Sequence, residues 1–486
     1  MTKPARIFGR DVEWRGLHLF ATASSPHAML GVVSGRRRMG KTYLLRALVE
    51  QRHGLYFGAT AATAGESLRQ FGAALAAHTG SPSPFTFANW DDAITYLFGL
   101  ARSDRTDGPL LVVIDEFPYL SKTAPELASV IQREIDRYQV EESSLRLLLC
   151  GSAMSVMGGL LASTAPLRGR AQLELVLRPF GYRESAEFWG VTGDPALATR
   201  LNAVLGGTPA YRRQFLADDV PADLAEFDAW VARTVLSPLS PLFREARYLL
   251  AEEADIRDTA LYHSVLAAVA QGNSTRGGIA NYIGRKAVDI SHHLHVLEDS
   301  QLLVRMEDVF RSGRAQYRIS EPLINFYESV MRPAWARLEA GQGDEVWAQS
   351  AERFAAQVAG PHFEVICREY LLNEGQSLVG GVGSVGAGVV VADRQQMEID
   401  VVAMNREPGS TQAAVKLLGE AKWGTVMGVN HLDRLARARD VLGGRGLGVA
   451  DCRLACFSAK GFSDSLRAES SRRPDVLLIG LDELYS

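Results

Sequence analysis

The stretch GVVSGRRRMGKTYLLRAL at residues 31–48 decides how the first part of this chain folds. Gly35 and Gly40 enclose three arginines and a methionine, and Lys41 and Thr42 follow at the start of an amphipathic helix. Glycines let backbone N–H groups approach phosphate oxygens closely, and a helix that begins near Lys41 points its positive dipole end at the same anion. The spacing therefore predicts a phosphate-binding loop between a strand and a helix.

This loop predicts a site for ATP and Mg²⁺. Lys41 would contact the β- and γ-phosphates, and the Thr42 hydroxyl would ligate Mg²⁺. The loop residues that we expect to bind the nucleotide are Gly35, Arg36, Arg37, Arg38, Met39, Gly40, Lys41, Thr42 and Tyr43.

Two carboxylates follow a second apolar run. Residues 110–114 are an unbroken branched run, typical of a parallel strand buried on both faces, and Asp115 and Glu116 come next. At the carboxyl end of such a strand, Asp115 would hold Mg²⁺ directly or through its ligands, and Glu116 would orient the attacking water. The alternative is that the pair only opens a turn before Pro118, and the nearby phosphate loop makes this the weaker interpretation.

A third apolar run, at residues 145–150, ends in Gly151 and Ser152. The Ser152 hydroxyl would sense the γ-phosphate, and an equally good interpretation makes it a helix N-cap. Strands that alternate with helices throughout this part predict a parallel sheet covered on both faces.

Composition limits the class of protein. The 486 residues suggest about three domains, and 47% hydrophobic with 22% charged residues is typical of a globular protein. The net charge of −4 gives no global sign of a nucleic-acid partner. The sequence has no apolar run of membrane-spanning length and no apolar signal segment, so we expect a cytoplasmic protein without membrane contact. The four cysteines predict neither a disulfide framework nor a zinc site.

In their order along the chain, these motifs resemble the archaeal-type ATPase family, P-loop proteins of the larger AAA+ and signal-transduction ATPase group. The resemblance rests on FGR with Glu13, GRRRMGKT, VVIDEFPYL, CGSAMSVM, PLRGR and GGTPAY. It implies that Arg10 lies on the adenine side, that Arg170 approaches the phosphates, and that residues 178–236 form a helical lid. A single loop arginine is more often solvated or salt-bridged, which is the alternative for Arg170.

The middle of the chain predicts a winged helix. Its elements are three helices at residues 261–271, 275–283 and 286–299 and two strands at residues 302–306 and 316–319. A winged helix places its third helix in the major groove of DNA. The polar positions on the outer side of this helix are Arg285, Lys286, Ser291, His292 and His295. Because few of them carry a full positive charge, a spacer or protein-docking module is the alternative.

The last part predicts an α/β layer. A helix carries Glu364, the glycine-rich residues 375–391 suggest a strand pair, and two further strands carry Asp400 and then Glu420 with Lys422. Strand side chains alternate, so Glu420 and Lys422 project from one face. This pattern resembles the PD-(D/E)XK restriction-endonuclease-like fold, a domain commonly joined to archaeal-type ATPases, with Ile399 in place of proline.

The resemblance implies a metal site in this domain. Asp400 and Glu420 would hold Mg²⁺ or Mn²⁺, Glu364 would add a carboxylate, and Lys422 would stabilise or activate the hydrolytic water. A domain that binds without cutting is the alternative.

We therefore predict an α/β protein of three domains. They are a parallel-sheet P-loop ATPase domain with a helical lid (residues 1–236), a winged-helix domain (237–337) and a restriction-endonuclease-like domain (356–486), and a linker (338–355) precedes the last of them. The predicted function is ATP hydrolysis coupled to an action on DNA, with a Mg²⁺-dependent nuclease-like domain. The alternative is a nucleotide-gated signalling or assembly switch. ATP and DNA are the expected partners, together with a protein partner or a second copy of the chain.

Overall fold

The computed structural model describes residues 2–101, 108–162, 164–253, 256, 259–311, 313–392, 395–405 and 413–486. They form two compact units. The first unit contains Met1–Pro179 and Glu252–Asp255, and the second contains Phe180–Ala251 and Ile256–Ser486. Nearly all of the predicted lid is therefore grouped by its contacts with the second unit, and the domain boundaries given above stay a prediction.

The first unit is built on a sheet of five strands. They are β1 (Met29–Ser34), β2 (Leu55–Gly58), β3 (Leu110–Asp115), β4 (Leu145–Cys150) and β5 (Ala171–Val176). Its helices are α1 (Asp11–Thr22), α2 (Lys41–Arg52), α3 (Ala64–Thr79), α4 (Trp90–Leu100), α5 (Phe117–Thr123), α6 (Leu127–Arg137) and α7 (Met154–Gly159).

All neighbouring strands of this sheet are parallel, in the order β2-β3-β4-β1-β5. Successive β1 residues face opposite sides, so Val32 packs in one apolar core and Val33 in the other. The predicted parallel sheet with both faces covered is therefore confirmed. Strand β5 was not predicted, because it is an edge strand that carries Gln172 and Glu174 and has no continuous apolar run.

The second unit begins with helices and ends with a second sheet. Its helices are α8 (Tyr182–Trp189), α9 (Pro195–Leu205), α10 (Phe227–Thr234), α11 (Leu242–Ala251), α12 (Thr259–Ala270), α13 (Arg276–Ile283), α14 (Ser291–Asp299), α15 (Pro322–Phe326), α16 (Trp335–Glu339), α17 (Gly343–Gln349), α18 (Ala351–Arg353), α19 (Gly360–Val379), α20 (Val429–Gly444), α21 (Asp464–Arg472) and α22 (Leu481–Tyr485). Its strands are β6 (Leu303–Glu307), β7 (Ala315–Ile319), β8 (Ser384–Ala392), β9 (Gln395–Asn405), β10 (Ala414–Lys422), β11 (Arg453–Ser458) and β12 (Val476–Ile479).

Strands β6 and β7 form an antiparallel ribbon, and the other five form a mixed sheet in the order β12-β11-β10-β9-β8. Strand β9 pairs antiparallel with both β8 and β10, whereas β10, β11 and β12 are parallel. Leu418 packs in the core on one face of β10 and Leu417 in the core on the other. This sheet, too, is covered on both faces.

Two local predictions in the second unit are wrong. Residues 375–391 do not form a strand pair, because β8 pairs with the following strand β9 and α19 continues to Val379, where Gly380 with φ 71° ends it. Helix α14 begins at Ser291 and not at Lys286, because the Asp289 carboxylate accepts a hydrogen bond from the Lys286 N–H and closes a turn first.

In the described part of the chain, no helix is both long enough and apolar enough to cross a bilayer.

Candidate functional site

The phosphate loop lies between β1 and α2, as the sequence pattern requires. Gly35 has φ 146° and Gly40 has φ 84°, and both angles lie in the region that favours glycine. At Gly35 space also matters, since a Cβ atom would lie 2.6 Å from the carbonyl oxygen of Leu177. Any larger residue there would push the loop away from β5.

Lys41 is held against the backbone of this loop. Its Nζ donates hydrogen bonds to the carbonyl oxygens of Gly35 at 2.5 Å and Arg36 at 2.9 Å. The side chain is buried, and burial lowers the pKa of its ammonium. A buried cation bonded only to neutral carbonyls among the described residues favours the arrival of an anion.

Asp115 is bound on both carboxylate oxygens. Oδ2 accepts hydrogen bonds from the hydroxyls of Thr42 and Tyr56, each at 2.7 Å, and Oδ1 accepts one from the N–H of Glu116 at 2.9 Å. Burial alone would raise the pKa of Asp115, but hydrogen bonds from Thr42, Cys150 and Tyr56 outweigh it and hold the pKa below its ordinary value. An ionised carboxylate beside a hydroxyl is a donor set that suits Mg²⁺.

Glu116 and Ser152 are brought together by the strand order. Strand β4 lies between β1 and β3, so the residue that follows β4 lies between the loop and the two carboxylates. The Ser152 hydroxyl donates a hydrogen bond to Glu116 Oε2 at 3.2 Å. Glu116 has φ 53°, a costly conformation for a residue with a side chain, and it precedes α5. This backbone turn separates Glu116 from the Asp115 contacts and leaves its side chain half-buried.

The other predicted residues of the loop have different partners. Arg37 Nε and Arg38 Nη2 lie 3.3 Å and 3.6 Å from the two carboxylate oxygens of Glu252. Arg10, the residue before α1, donates hydrogen bonds to Glu13 at 3.1 Å and to the carbonyl oxygen of Met39 at 3.4 Å. It therefore contacts the backbone of the loop. Arg36 is buried and Tyr43 is exposed. The adenine contact of Arg10 stays a prediction.

Arg170 and the phosphate loop lie at opposite ends of the parallel strands. It precedes β5, which runs parallel to β1, whereas the loop follows β1. The six residues of β5, at about 3.3 Å each, separate these two ends. Its guanidinium binds Asp136 through two hydrogen bonds of 2.6 Å and 2.8 Å, and its other described partners are carbonyl oxygens. The structure therefore does not bring Arg170 together with the loop of its own chain.

Sequence reasoning missed Tyr56, which contacts the site, and Arg178, which follows a residue bonded to the start of the loop. Tyr56 holds Asp115, and only the pairing of β2 with β3 reveals it. Arg178 is exposed and follows Leu177, whose N–H bonds to the carbonyl oxygen of Ser34 at the start of the loop. Recognising the alternating pattern of β5 would have placed Arg178, and not Arg170, at the end of the sheet that carries the phosphate loop.

A second group of charged residues lies on β9 and β10 of the second unit. Lys422 Nζ is 3.1 Å from Glu420 Oε1 and 3.7 Å from Asp400 Oδ2, and Asp400 Oδ2 also accepts from the N–H of Ala421 at 2.9 Å. Burial alone would lower the pKa of Lys422, but the two carboxylates outweigh it and raise the pKa. The structure thus joins Asp400, Glu420 and Lys422 as predicted from the strand pattern.

Arginines surround these acids. Arg434 of α20 lies 3.2 Å from Glu420 Oε1, and Arg368 lies 3.6 Å from Glu364 and donates to the carbonyl oxygen of Asp400 at 2.6 Å. Arg368 thus links Glu364 to Asp400, and burial together with the charge of Asp400 raises the pKa of Glu364. The acids are therefore largely neutralised by protein cations.

One observation favours a metal ion in this cluster, and another does not. Glu420 is buried, and its Oε2 has no hydrogen-bond partner among the described residues, so one oxygen is left for a ligand. Across the described ranges, however, no group of three or more His, Cys, Asp or Glu side chains is arranged to hold a metal ion. The donor set fits a cation held by Glu420 and Asp400, and a site with Glu364 as third ligand needs movement of the side chains.

Comparison with known proteins concerns the first unit most directly. Residues 9–191 match the family described as "ATPase domain predominantly from Archaea". An uncharacterised protein of Methanocaldococcus jannaschii is 27% identical over 349 residues, which are 70% of this chain and 72% of that protein.

One solved structure shares the fold. A Walker-type ATPase of Pyrococcus abyssi superposes with a TM-score of 0.50 at 19% identity, over 67% of this chain and 97% of that one. The ORC2 protein of Aeropyrum pernix, solved as ADPNP–ADP complexes, is less similar, with a TM-score of 0.43 at 16% identity over 72% of this chain and 97% of that one. At these identities the likeness concerns the fold alone. Residues 9–191 therefore match an archaeal ATPase domain, and the Pyrococcus protein agrees with this match in its fold.

Proposed function

We propose that this protein hydrolyses ATP in its first unit and acts on DNA, and that its second unit cleaves phosphodiester bonds with a divalent cation. The observation that carries the nuclease proposal is the meeting of Asp400, Glu420 and Lys422 on neighbouring strands, with a buried carboxylate oxygen of Glu420 left unpartnered. ATP hydrolysis rests on the geometry of the phosphate loop and on the family match.

In the first unit each side chain has a distinct role in converting ATP and water to ADP and phosphate. Lys41 neutralises the β- and γ-phosphates, while the loop N–H groups bind their oxygens. Thr42 and Asp115 would hold Mg²⁺, which supplies further neutralisation of phosphate charge when it is bound. Glu116 orients the attacking water, and Ser152 holds the Glu116 carboxylate.

In the second unit Asp400 and Glu420 would hold Mg²⁺ or Mn²⁺, which would polarise a phosphodiester when bound. Lys422 keeps its proton beside both carboxylates and stabilises negative charge that develops on the phosphate. Glu364 offers a further carboxyl group at the edge of the cluster. The product would be a cut strand with phosphate and hydroxyl ends.

Contact with DNA is assigned to the winged helix, which we propose for α12, α13, α14 and the ribbon of β6 and β7. Arg285, Lys286, His292 and His295 are exposed before and along α14. The tip of the ribbon is engaged within the second unit, since the Val309 N–H donates to the carbonyl oxygen of Ala387 on β8. Helix α14, and not the wing, is therefore the element proposed to face DNA.

One observation favours the alternative, a nucleotide-gated switch whose second unit binds without cutting. Each acid of the second cluster already has a cationic partner: Lys422 for Asp400, Lys422 and Arg434 for Glu420, and Arg368 for Glu364. A site that is neutral without metal can serve as a binding surface.

The deciding experiment incubates the full chain with linear and supercoiled DNA and with Mg²⁺ or Mn²⁺, with and without ATP, beside Asp400→Ala. The nuclease proposal expects cleavage that disappears in Asp400→Ala while ATP hydrolysis continues at the wild-type rate. Cleavage that survives in Asp400→Ala, or none in the wild type while ATP is hydrolysed, rejects the nuclease and leaves the switch. Lys41→Ala in the same series shows whether cleavage depends on the nucleotide.

A further inference from the structure

A cavity in the second unit has no part in either site described so far. Its volume is about 770 Å³, within the range of small-molecule sites, and it is lined by α11, α12 and the residues that follow α15. The lining residues that matter here are Arg244, Arg247, His263, Tyr327, Arg332 and Trp335.

Arg332 forms the fixed part of the cavity. It donates to Glu328 Oε2 at 2.7 Å and to the carbonyl oxygen of His263 at 2.9 Å. The other oxygen of Glu328 lies 2.7 Å from His263 Nδ1, and the side chain of Glu328 is fully buried. Both oxygens of the Glu328 carboxylate are therefore already bound by Arg332 and His263.

Two arginines of α11 carry free positive charge into the cavity. Arg244 donates to the carbonyl oxygen of Pro238 at 3.3 Å, and the Arg247 guanidinium lies 5.1 Å from the ring centroid of Trp335. Among the described residues, neither forms an ion pair with a carboxylate. Planar guanidinium groups bind phosphate oxygens in pairs, so the cavity favours a phosphate over a neutral ligand.

Aromatic rings lie beside these charges. Trp335 stacks on Phe243 at 4.4 Å between centroids and lies 5.7 Å from the ring of Tyr327, while Tyr248 on the same helix as Arg247 is half-exposed. Rings next to guanidinium groups match a ligand that joins a planar base to a phosphate. We propose that this cavity binds a nucleoside phosphate, either a free mononucleotide or one nucleotide of a nucleic-acid strand.

The test uses full-length protein with Lys41→Ala, so that the phosphate loop does not bind the probe. Titration calorimetry with dTMP and with a ten-residue oligothymidylate measures binding to this background and to the same background with Arg247→Gln. Both Arg244 and Arg247 are exposed, so their substitution should leave the fold intact, which thermal unfolding checks. Arg353→Gln, an exposed arginine on α18, is the matched control.

We expect Arg247→Gln to weaken binding about tenfold, because one charge-assisted contact to phosphate is lost, and Arg353→Gln to leave it unchanged. If the ligand is part of a nucleic-acid strand, the oligonucleotide binds more tightly than dTMP. Arg247→Gln then lowers the slope of log affinity against log salt concentration by about one. If the free nucleotide is the source, both probes bind equally. Absence of binding by either probe, or equal affinities for the Arg247→Gln and Arg353→Gln proteins, overturns the proposal.

Discussion

The phosphate-loop site of the first unit and the acidic cluster of the second unit use the same types of residue in different ways. Each places carboxylates and one lysine on strands or just beyond their ends. In the first, Lys41 is bonded to backbone carbonyls and Asp115 to hydroxyls. In the second, Lys422 is bonded to the acids themselves.

This difference teaches what each site can receive. At the phosphate loop no described acid neutralises Lys41 by direct contact, so a bound anion gains the full attraction of a buried cation. In the second cluster the charges compensate one another, so a metal bound at the unpartnered Oε2 of Glu420 must compete with Lys422 for Asp400 before it gains both carboxylates. The first site is prepared for its ligand, whereas the second has to exchange partners.

The largest expected effect on ligand binding is at Lys41. Lys41→Ala should weaken ATP binding about 100-fold, because charge-assisted hydrogen bonds to phosphate contribute about 1.5–3 kcal/mol each. Titration calorimetry with ATP and Mg²⁺ measures this, with the exposed Lys122→Ala on α5 as control. Unchanged affinity would show that the loop is not the nucleotide site and that the two regions do not differ as described.

A medium effect is expected at Lys422. Lys422→Met leaves Asp400 without its ion pair and Glu420 with Arg434 alone, so the variant should lose about 1–2 kcal/mol of stability, less than a fully buried pair because Lys422 is 35% exposed. Added Mn²⁺ should restore this loss, since the freed acids can then bind the cation. Thermal unfolding with and without Mn²⁺ measures both effects.

The matched control is Lys460→Met, because Lys460 is exposed two residues beyond the end of β11. If Mn²⁺ stabilises neither Lys422→Met nor the wild type more than this control, the acidic cluster does not bind a metal. The phosphate loop is then a ligand site and the acidic cluster a structural ion-pair network.

The smallest effect is expected at Tyr56. Tyr56→Phe removes one of the two hydroxyls that position Asp115, so the Mg²⁺ concentration for half-maximal ATP hydrolysis should rise about tenfold. A steady-state assay over a Mg²⁺ series tests this. Tyr96→Phe, a partly exposed tyrosine of α4, should behave as wild type. Identical Mg²⁺ curves for both variants would remove Tyr56 from the site.

The fold was predictable for the elements that residues adjacent along the chain determine. Strands β1, β3 and β4 consist mostly of apolar residues, and the loop glycines mark the turn into α2, so their places follow from the sequence alone. The assignment of residues 180–236 to a unit depends instead on distant contacts, such as the hydrogen bond from the Tyr182 hydroxyl to the carbonyl oxygen of Leu484. No local pattern contains that information.

The same distinction explains what was found at the sites. The phosphate loop is made of consecutive residues, and Asp400, Glu420 and Lys422 follow from strand alternation. Tyr56 reaches Asp115 only because β2 lies next to β3, and Arg434 reaches Glu420 only because α20 packs beside β10. Their residue types are common on surfaces, so sequence alone provides no reason to select them.

The most direct test of the first site is hydrolysis by Glu116→Gln measured together with ATP binding, beside the exposed Glu126→Gln as control. We predict that Glu116→Gln binds ATP as tightly as wild type and hydrolyses it about 10²–10⁴ times more slowly, because an amide cannot polarise the attacking water as a carboxylate does. Hydrolysis at the wild-type rate in Glu116→Gln would contradict the catalytic assignment made for this turn after β3.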